Sequence, residues 1–256
     1  MLLSGLIFTL FVWAHASTIP LVSKEIIAQI PKLELHAHLH GSVRKSTFIE
    51  LAQGLSIAHE KVTLDDNDNG KWERPFELFP LLHQVVQSKE VLQRILREMI
   101  EDYELQNTIY LEIRSTPRSL ADGTSIKEYV ETLLDIIYQH NSLYLEGKSP
   151  LLVKLVVSVD RSKTLNDAYE TLELITSSYT TWKGMKIIVG IDFSGNPLGG
   201  KFMDFVKVFE LARKQYHLNV TVHASEVKEL AEKIPYTSGL EILQEADETE
   251  FILNFK

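Results

Sequence analysis

The sequence predicts an α/β protein in which strands and helices alternate as in a (β/α)8 TIM barrel, with about five to six of the eight strands present. Three observations lead there. Strand-like and helix-like periodicities follow one another five times along the chain. The runs LLVKLVVSV and MKIIVGI are almost continuously apolar, as parallel strands covered on both faces are. Polar and ionisable residues gather where each predicted strand ends, which in such a barrel is the working face.

In chain order, Ser23 to Ile30 reads as a short helix with Ile26, Ile27 and Ile30 on one face, placed to close the barrel bottom. Leu33 to Ser42, LELHAHLHGS, alternates apolar and polar residues with the period of a strand. A helix through Leu51 follows Gly41, and then the polar loop from Leu64 to Gly70. That loop has Gly70 in the place an EF-hand needs but Phe76 where its Glu belongs, so it reads as solvated chain rather than a calcium site. Two helices are expected between Phe76 and Gln106, from the spacing of Phe79, Leu82, Val85 and Val86 and of Leu92, Ile95, Leu96 and Met99. The strand Ile109 to Arg114 comes next, then a helix from Ser125 to Leu145 and a strand from Leu151 to Val159. A helix over Asn166 to Ser177, a strand over Lys186 to Asp192, a helix over Phe202 to Tyr216 and a strand over Asn219 to His223 complete the pattern. Thr249 to Lys256 has the character of a sixth strand. Closure needs eight, so a truncated gene product or splice form is expected. A doubly wound open sheet is the alternative, although no glycine-rich phosphate fingerprint follows the first strand.

Alternation on the first strand turns His36, His38 and His40 to one face. Neutral imidazoles crowded there suit a divalent cation, and zinc accepts them at roughly 2.0–2.1 Å. The chain has no cysteine, so a metal must be held by His and carboxylate, and disulfide or thiolate chemistry is excluded. His223, ending the fifth strand, offers a further imidazole, and Glu226 stands three residues on. Zinc lowers the pKa of a coordinated water to about 7, and a neighbouring carboxyl group can then carry protons to a leaving group. A Glu226 that only caps the following helix is the alternative.

Composition fits one large domain: 256 residues, 45% apolar and 24% charged, with a formal charge of −9. That charge argues against a nucleic-acid surface. Met1 to Ala16 carries an apolar run and the A-x-A pattern Ala14-His15-Ala16 but no basic n-region, so residues 1–18 are either a signal-like segment or a variant extension. The run is too short for a stable membrane span. Residues 19–256 would form the barrel domain, in a cytoplasmic protein or, if the leader works, a secreted one.

Five motifs in order, LELHAHLHGS, YLEIRSTPR, VSVDR, GIDFSGNP and VHASE, resemble the adenosine/AMP deaminase family. YLEIRSTPR and LLHQVV are most similar to its adenosine deaminase-like, N6-methyl-AMP deaminase branch. The resemblance runs from about Pro31 to Glu226. It implies a barrel of the metal-dependent hydrolase type, with one Zn2+ ion, that hydrolytically removes an amino or alkylamino group from purine C6. The substrate implied is N6-methyl-AMP, giving IMP, or adenosine next, with a free nucleotide or nucleoside as the only partner and a monomer expected.

By the same resemblance His36, His38 and His223 would bind the metal, and Glu226 would protonate the purine ring. His38, His40, His83, Asp160 and Gly195 would lie along the nucleotide, beside a loop of Ser115, Thr116, Pro117 and Arg118. Gly195 lets backbone approach the base closely, and Arg118 suits a phosphate. Two departures stand out. His40 occupies a position where this branch usually has Asn and adenosine deaminases Asp, and the family's later His and Asp-Asp pair have no counterpart before Lys256. A catalytically impaired fragment that only binds metal or nucleotide is therefore the second expectation, since each acid–base group contributes roughly 10²–10⁴-fold.

Overall fold

The structure is a computed structural model that describes residues 23–57, 74–196 and 199–223. The chain opens with α1 (Lys24–Gln29), β1 (Lys32–His38) and a single 3-10 turn (His40–Ser42). Then come α2 (Lys45–Gly54), α3 (Arg74–Val85), α4 (Lys89–Leu105) and β2 (Thr108–Ser115). α5 (Ile126–Leu145), β3 (Leu152–Asp160), α6 (Leu165–Ser177), β4 (Ile188–Ser194), α7 (Phe202–Lys214) and β5 (Asn219–Val222) follow.

Local chemistry sets these boundaries. Ser125 caps α5 and Thr164 caps α6, each in a reciprocal box with Glu128 or Asp167 three residues on. Ser88 caps α4 by accepting from the Val91 amide, a bond of a kind that contributes about 1 kcal/mol. Behind each cap an apolar stripe faces the sheet: Leu92, Ile95, Leu96 and Met99 on α4, and Tyr129, Val130, Leu133 and Ile137 on α5, all buried. On α7, Phe202, Phe205 and Phe209 close around Phe193 of β4, with ring centroids 5.1–5.6 Å apart.

The five strands are parallel and lie in sequence order β1-β2-β3-β4-β5. In a flat sheet four spacings would put β1 about 19 Å from β5. Instead Nε2 of His36 on β1 lies 2.9 Å from Nε2 of His223, the residue after β5. The sheet is therefore curled as half a barrel, with β1 and β5 facing each other across its interior.

Three expectations need correction. The first strand does not run through His40: it stops at His38, and Leu39 takes helical angles and buries completely. His40 therefore leaves the face shared by His36 and His38. Ile26 and Ile27 of α1 and Ile30 just after it are exposed, as are Leu33 and Leu35 of β1, so among the described residues that apolar face is not packed. The α1 end is instead held by polar contacts, Asn107 Nδ2 donating to Gln29 O (2.8 Å) and Lys32 Nζ to Gln106 O (2.8 Å). Residues 1–18, the 64–70 loop, Glu226 and the expected strand at 249–256 lie outside the described residues. Among those described, no helix is long and apolar enough to cross a membrane.

Candidate metal centre

Alternation along β1 puts His36 and His38 on the interior side, and their Nε2 atoms are 3.2 Å apart. His223 extends the β4–β5 ladder by one step, its amide donating to Phe193 O (2.8 Å), which aims its ring inward from the opposite wall. Its Nε2 lies 2.9 Å from that of His36 and 3.0 Å from that of His38. Three ring nitrogens thus converge on one point.

These three nitrogens fit a metal. Donors arranged tetrahedrally at roughly 2.0–2.1 Å from one ion sit about 3.3 Å from each other, close to the spacing found. The protonation states agree. Burial, then the neighbouring His223, pushes His38 down to about 4, and partial desolvation with the Arg114 charge lowers His36. Behind the third ring, His223 Nδ1 lies 3.2 Å from Asp192 Oδ1. Burial opposes ionisation of Asp192, but the His223 hydrogen bond and the charge of Arg114 outweigh it and hold the carboxyl below its usual range. A charged Asp192 requires the proton on Nδ1, which leaves the Nε2 lone pair facing the other two imidazoles. Three lone pairs or N–H groups cannot all pair with each other at this spacing, whereas one cation satisfies them together.

Asp192 is itself tightly held. Arg114 Nη1 (2.9 Å) and Thr221 Oγ1 (2.7 Å) donate to its Oδ1, and Ser158 Oγ (3.1 Å) to its Oδ2. Arg114 and Asp192 are 6% and 0% exposed, so removing either partner would strand a buried charge. Such losses cost about 3–5 kcal/mol.

A second cluster lies beside the first. Burial, then Arg118, lowers His40 well below its ordinary value, and its ring meets His83 edge-on at 5.1 Å. Phe79 lies between His38 (6.2 Å) and His83 (6.4 Å). Arg118 Nη2 donates to Val86 O (2.8 Å) and His83 O (3.3 Å) and lies 3.4 Å from His40 Nε2, while its buried Nε has no partner among the described residues. It thereby places positive charge at the C-terminal end of α3, where the helix dipole favours it.

The remaining expected residues divide. Asp160 ends β3, its Oδ1 accepting from the Ser162 amide (2.9 Å). Gly195 follows β4 with φ +103°, and a Cβ there would meet Asp160 Oδ1 at 2.3 Å. Glycine is thus required by its own backbone angle and by Asp160. Ser115 is buried with its hydroxyl 2.7 Å from Tyr129 OH, so that side chain faces α5 and does not line the centre. Thr116 and Pro117 are half-buried on the same loop. Sequence reasoning passed over Arg114, Ser158, Thr221 and Phe79. The first three share strand parity with His38, Asp160 and His223, so counting inward positions finds them.

A strand–helix sheet curled so that histidines of its first and fifth strands converge defines an α/β barrel protein with a metal-type site. The adenosine deaminase family model matches residues 31–233. The chain therefore belongs to the adenosine deaminase family. An Arabidopsis thaliana protein named N6-mAMP deaminase is 35% identical over 227 residues, covering 79% of this chain and 62% of the relative. The human N6-Methyl-AMP deaminase is 32% identical over 207 residues, covering 79% and 56%. A solved Arabidopsis N6-mAMP deaminase superposes with a TM-score of 0.66 at 33% identity, covering 85% of this chain and 65% of that one. An amidohydrolase from Burkholderia ambifaria solved with bound Zn, 21% identical with a TM-score of 0.62 and covering 81% of this chain and 56% of that one, shares the fold. The chain spans about three-fifths of the length of the curated relatives it matches.

Proposed function

We propose that this chain carries the zinc-binding half of a hydrolytic deaminase acting at C6 of an adenine nucleotide, with N6-methyl-AMP as substrate and IMP and methylamine as products. The observation that carries the reading is the His36–His38–His223 triangle, with Asp192 fixing the His223 tautomer. Relatives named for this reaction, and solved Arabidopsis neighbours described in complex with GMP and with IMP, support the substrate class.

In this reading His36, His38 and His223 would hold Zn2+, which would supply Lewis acidity and a water of lowered pKa near neutral pH. Each chain residue then has a stated task. His36, His38 and His223 present neutral Nε2 lone pairs, and Asp192 keeps His223 in the correct tautomer. Asp160 and the side-chain-free Gly195 border the place taken by the base. Glu226 gives a proton to the purine ring nitrogen, so that negative charge need not accumulate there as C6 becomes tetrahedral. His40, His83 and Arg118 lie toward the sugar and phosphate, with Arg118 supplying permanent positive charge. Overall water is consumed, the C6–N bond breaks, and the departing amine takes the proton. A nucleoside monophosphate substrate is in keeping with a cytoplasmic location, which belongs to the same reading.

The test is to load the purified chain with zinc, add N6-methyl-AMP, and follow IMP by chromatography and methylamine by derivatisation. Stoichiometric release of both, abolished by His223→Gln, is expected. Zinc binding without turnover, in this chain and in one extended to the length of its relatives, would refute the assigned reaction.

A further inference from the structure

β1 and β5 share no hydrogen bonds in the five-strand order, yet the triangle needs His223 on one wall and His36 and His38 on the other to stay about 3 Å apart. Among the described residues one side chain spans that interior. Arg114 projects from β2, opposite His38 in register. Its Nη2 donates to the carbonyl of Leu35 (3.0 Å), the residue before His36. Its Nη1 donates to Asp192 Oδ1 (2.9 Å) and to Thr221 Oγ1 (3.0 Å), and the same Asp192 oxygen meets His223 Nδ1.

We propose that Arg114 is a positioning residue that sets the spacing of the histidine triangle, by fixing the β1 backbone to the carboxylate that orients His223. The proposal rests on the metal-binding part of the reading above and extends it to a residue that touches neither metal nor substrate. The planar fork matters. Two donors at fixed separation reach the Leu35 carbonyl and Asp192 at once, and the site is dry enough (Arg114 6%, Asp192 0% exposed) for both bonds to be directional. A lysine keeps the charge beside Asp192 but is one compact point on a flexible stem and cannot serve both ends. Thr221 ties the arrangement to β5, because its hydroxyl accepts from Arg114 and donates to Asp192.

The test uses cobalt(II) as the probe, since its visible bands report ligand number and symmetry, and it needs no turnover. The natural chain should bind one cobalt with the intense bands of a four-coordinate site. Arg114→Lys should weaken binding by about tenfold or more and shift the bands. Asp192→Asn should weaken it 10–100-fold, the usual cost of losing a group behind a metal-bound histidine. Thr221→Val, which leaves the buried charges paired, should move affinity and bands in the same direction by less, and it carries the test if Arg114→Lys does not fold. If Arg114→Lys and Thr221→Val lower the metal-free melting temperature while affinity and band positions stay at natural values, Arg114 is merely structural and the proposal is overturned. Failure of the natural chain to bind cobalt overturns the metal reading itself, a result visible before any variant is made.

Discussion

Replacing Gly195 by alanine tests the upper rim of the sheet most sharply. The new methyl group meets two separate obstacles. Its backbone sits at φ +103°, outside the regions open to L-residues. Its Cβ would lie 2.3 Å from Asp160 Oδ1, 3.1 Å from Asp160 Cγ and 3.3 Å from the Arg161 amide nitrogen, so the carboxylate must swing away and give up its bond from the Ser162 amide. Backbone strain of about 1–3 kcal/mol and a lost hydrogen bond of about 0.5–1.5 kcal/mol make the expected destabilisation about 2–4 kcal/mol. Urea unfolding of Gly195→Ala, Asp160→Ala and the double variant measures this as a cycle. In the Asp160→Ala background the glycine change should retain its backbone cost and lose the carboxylate part, leaving a coupling of about 0.5–1.5 kcal/mol. A single-variant cost below about 0.5 kcal/mol, or identical costs in both backgrounds, would refute the assignment of Asp160 as the group that demands glycine.

Three further outcomes follow from the same geometry. Phe193→Ala removes the ring enclosed by Phe202, Phe205 and Phe209 and should destabilise the fold by about 3–5 kcal/mol in urea titration; a cost near 1 kcal/mol would mean that β4 and α7 are not packed as described. Arg118→Gln should lower the affinity for a nucleoside monophosphate roughly 10–100-fold while leaving the nucleoside nearly unchanged, as expected for one charge-assisted contact, and equal losses for both ligands would remove Arg118 from the phosphate. Desolvation, then the Arg118 charge, holds His83 at about 4 against an ordinary 6.5, so between those values the unfolded chain binds a proton that the native chain does not. Stability is therefore full above about pH 6.5, declines as pH falls through that window and levels off below about 4. The slope should be shallow because water still reaches the ring, and a metal-free His83→Gln variant with an unchanged pH profile would contradict it.

How far the fold could be read from the chain depended on whether the decisive forces were local. β3 and β4 announced themselves because strands covered on both faces must be apolar throughout, and the caps that start α5 and α6 in the structure are equally local, since Ser125 and Thr164 stand three residues ahead of the acids that complete them. His36, His38 and His223 were recoverable because alternation and strand-end position are properties of short segments. The end of β1 was not. The alternation of LELHAHLHGS continues to His40, but Leu39 is drawn wholly into the core, and that pull comes from the elements packed around it. Arg114 was missed for the same reason, since its meaning lies in reaching Leu35, Asp192 and Thr221 on three other strands. The direction of the Ser115 hydroxyl was not legible either, because its partner, Tyr129, sits on the helix behind the sheet.

His36 and His223 stand 187 positions apart, and a ligand gripped by both would clasp the beginning of the described fold to its end. In a denatured chain such a clasp would impose ring closure on nearly every βα unit, a constraint whose entropic penalty rises with the logarithm of loop length. Occupancy would then work as a reversible long-range cross-link, and fraying of either outer strand would have to break it first. The amide hydrogens of β1 and β5, the first and last strands of the described sheet, should consequently slow together when metal is supplied.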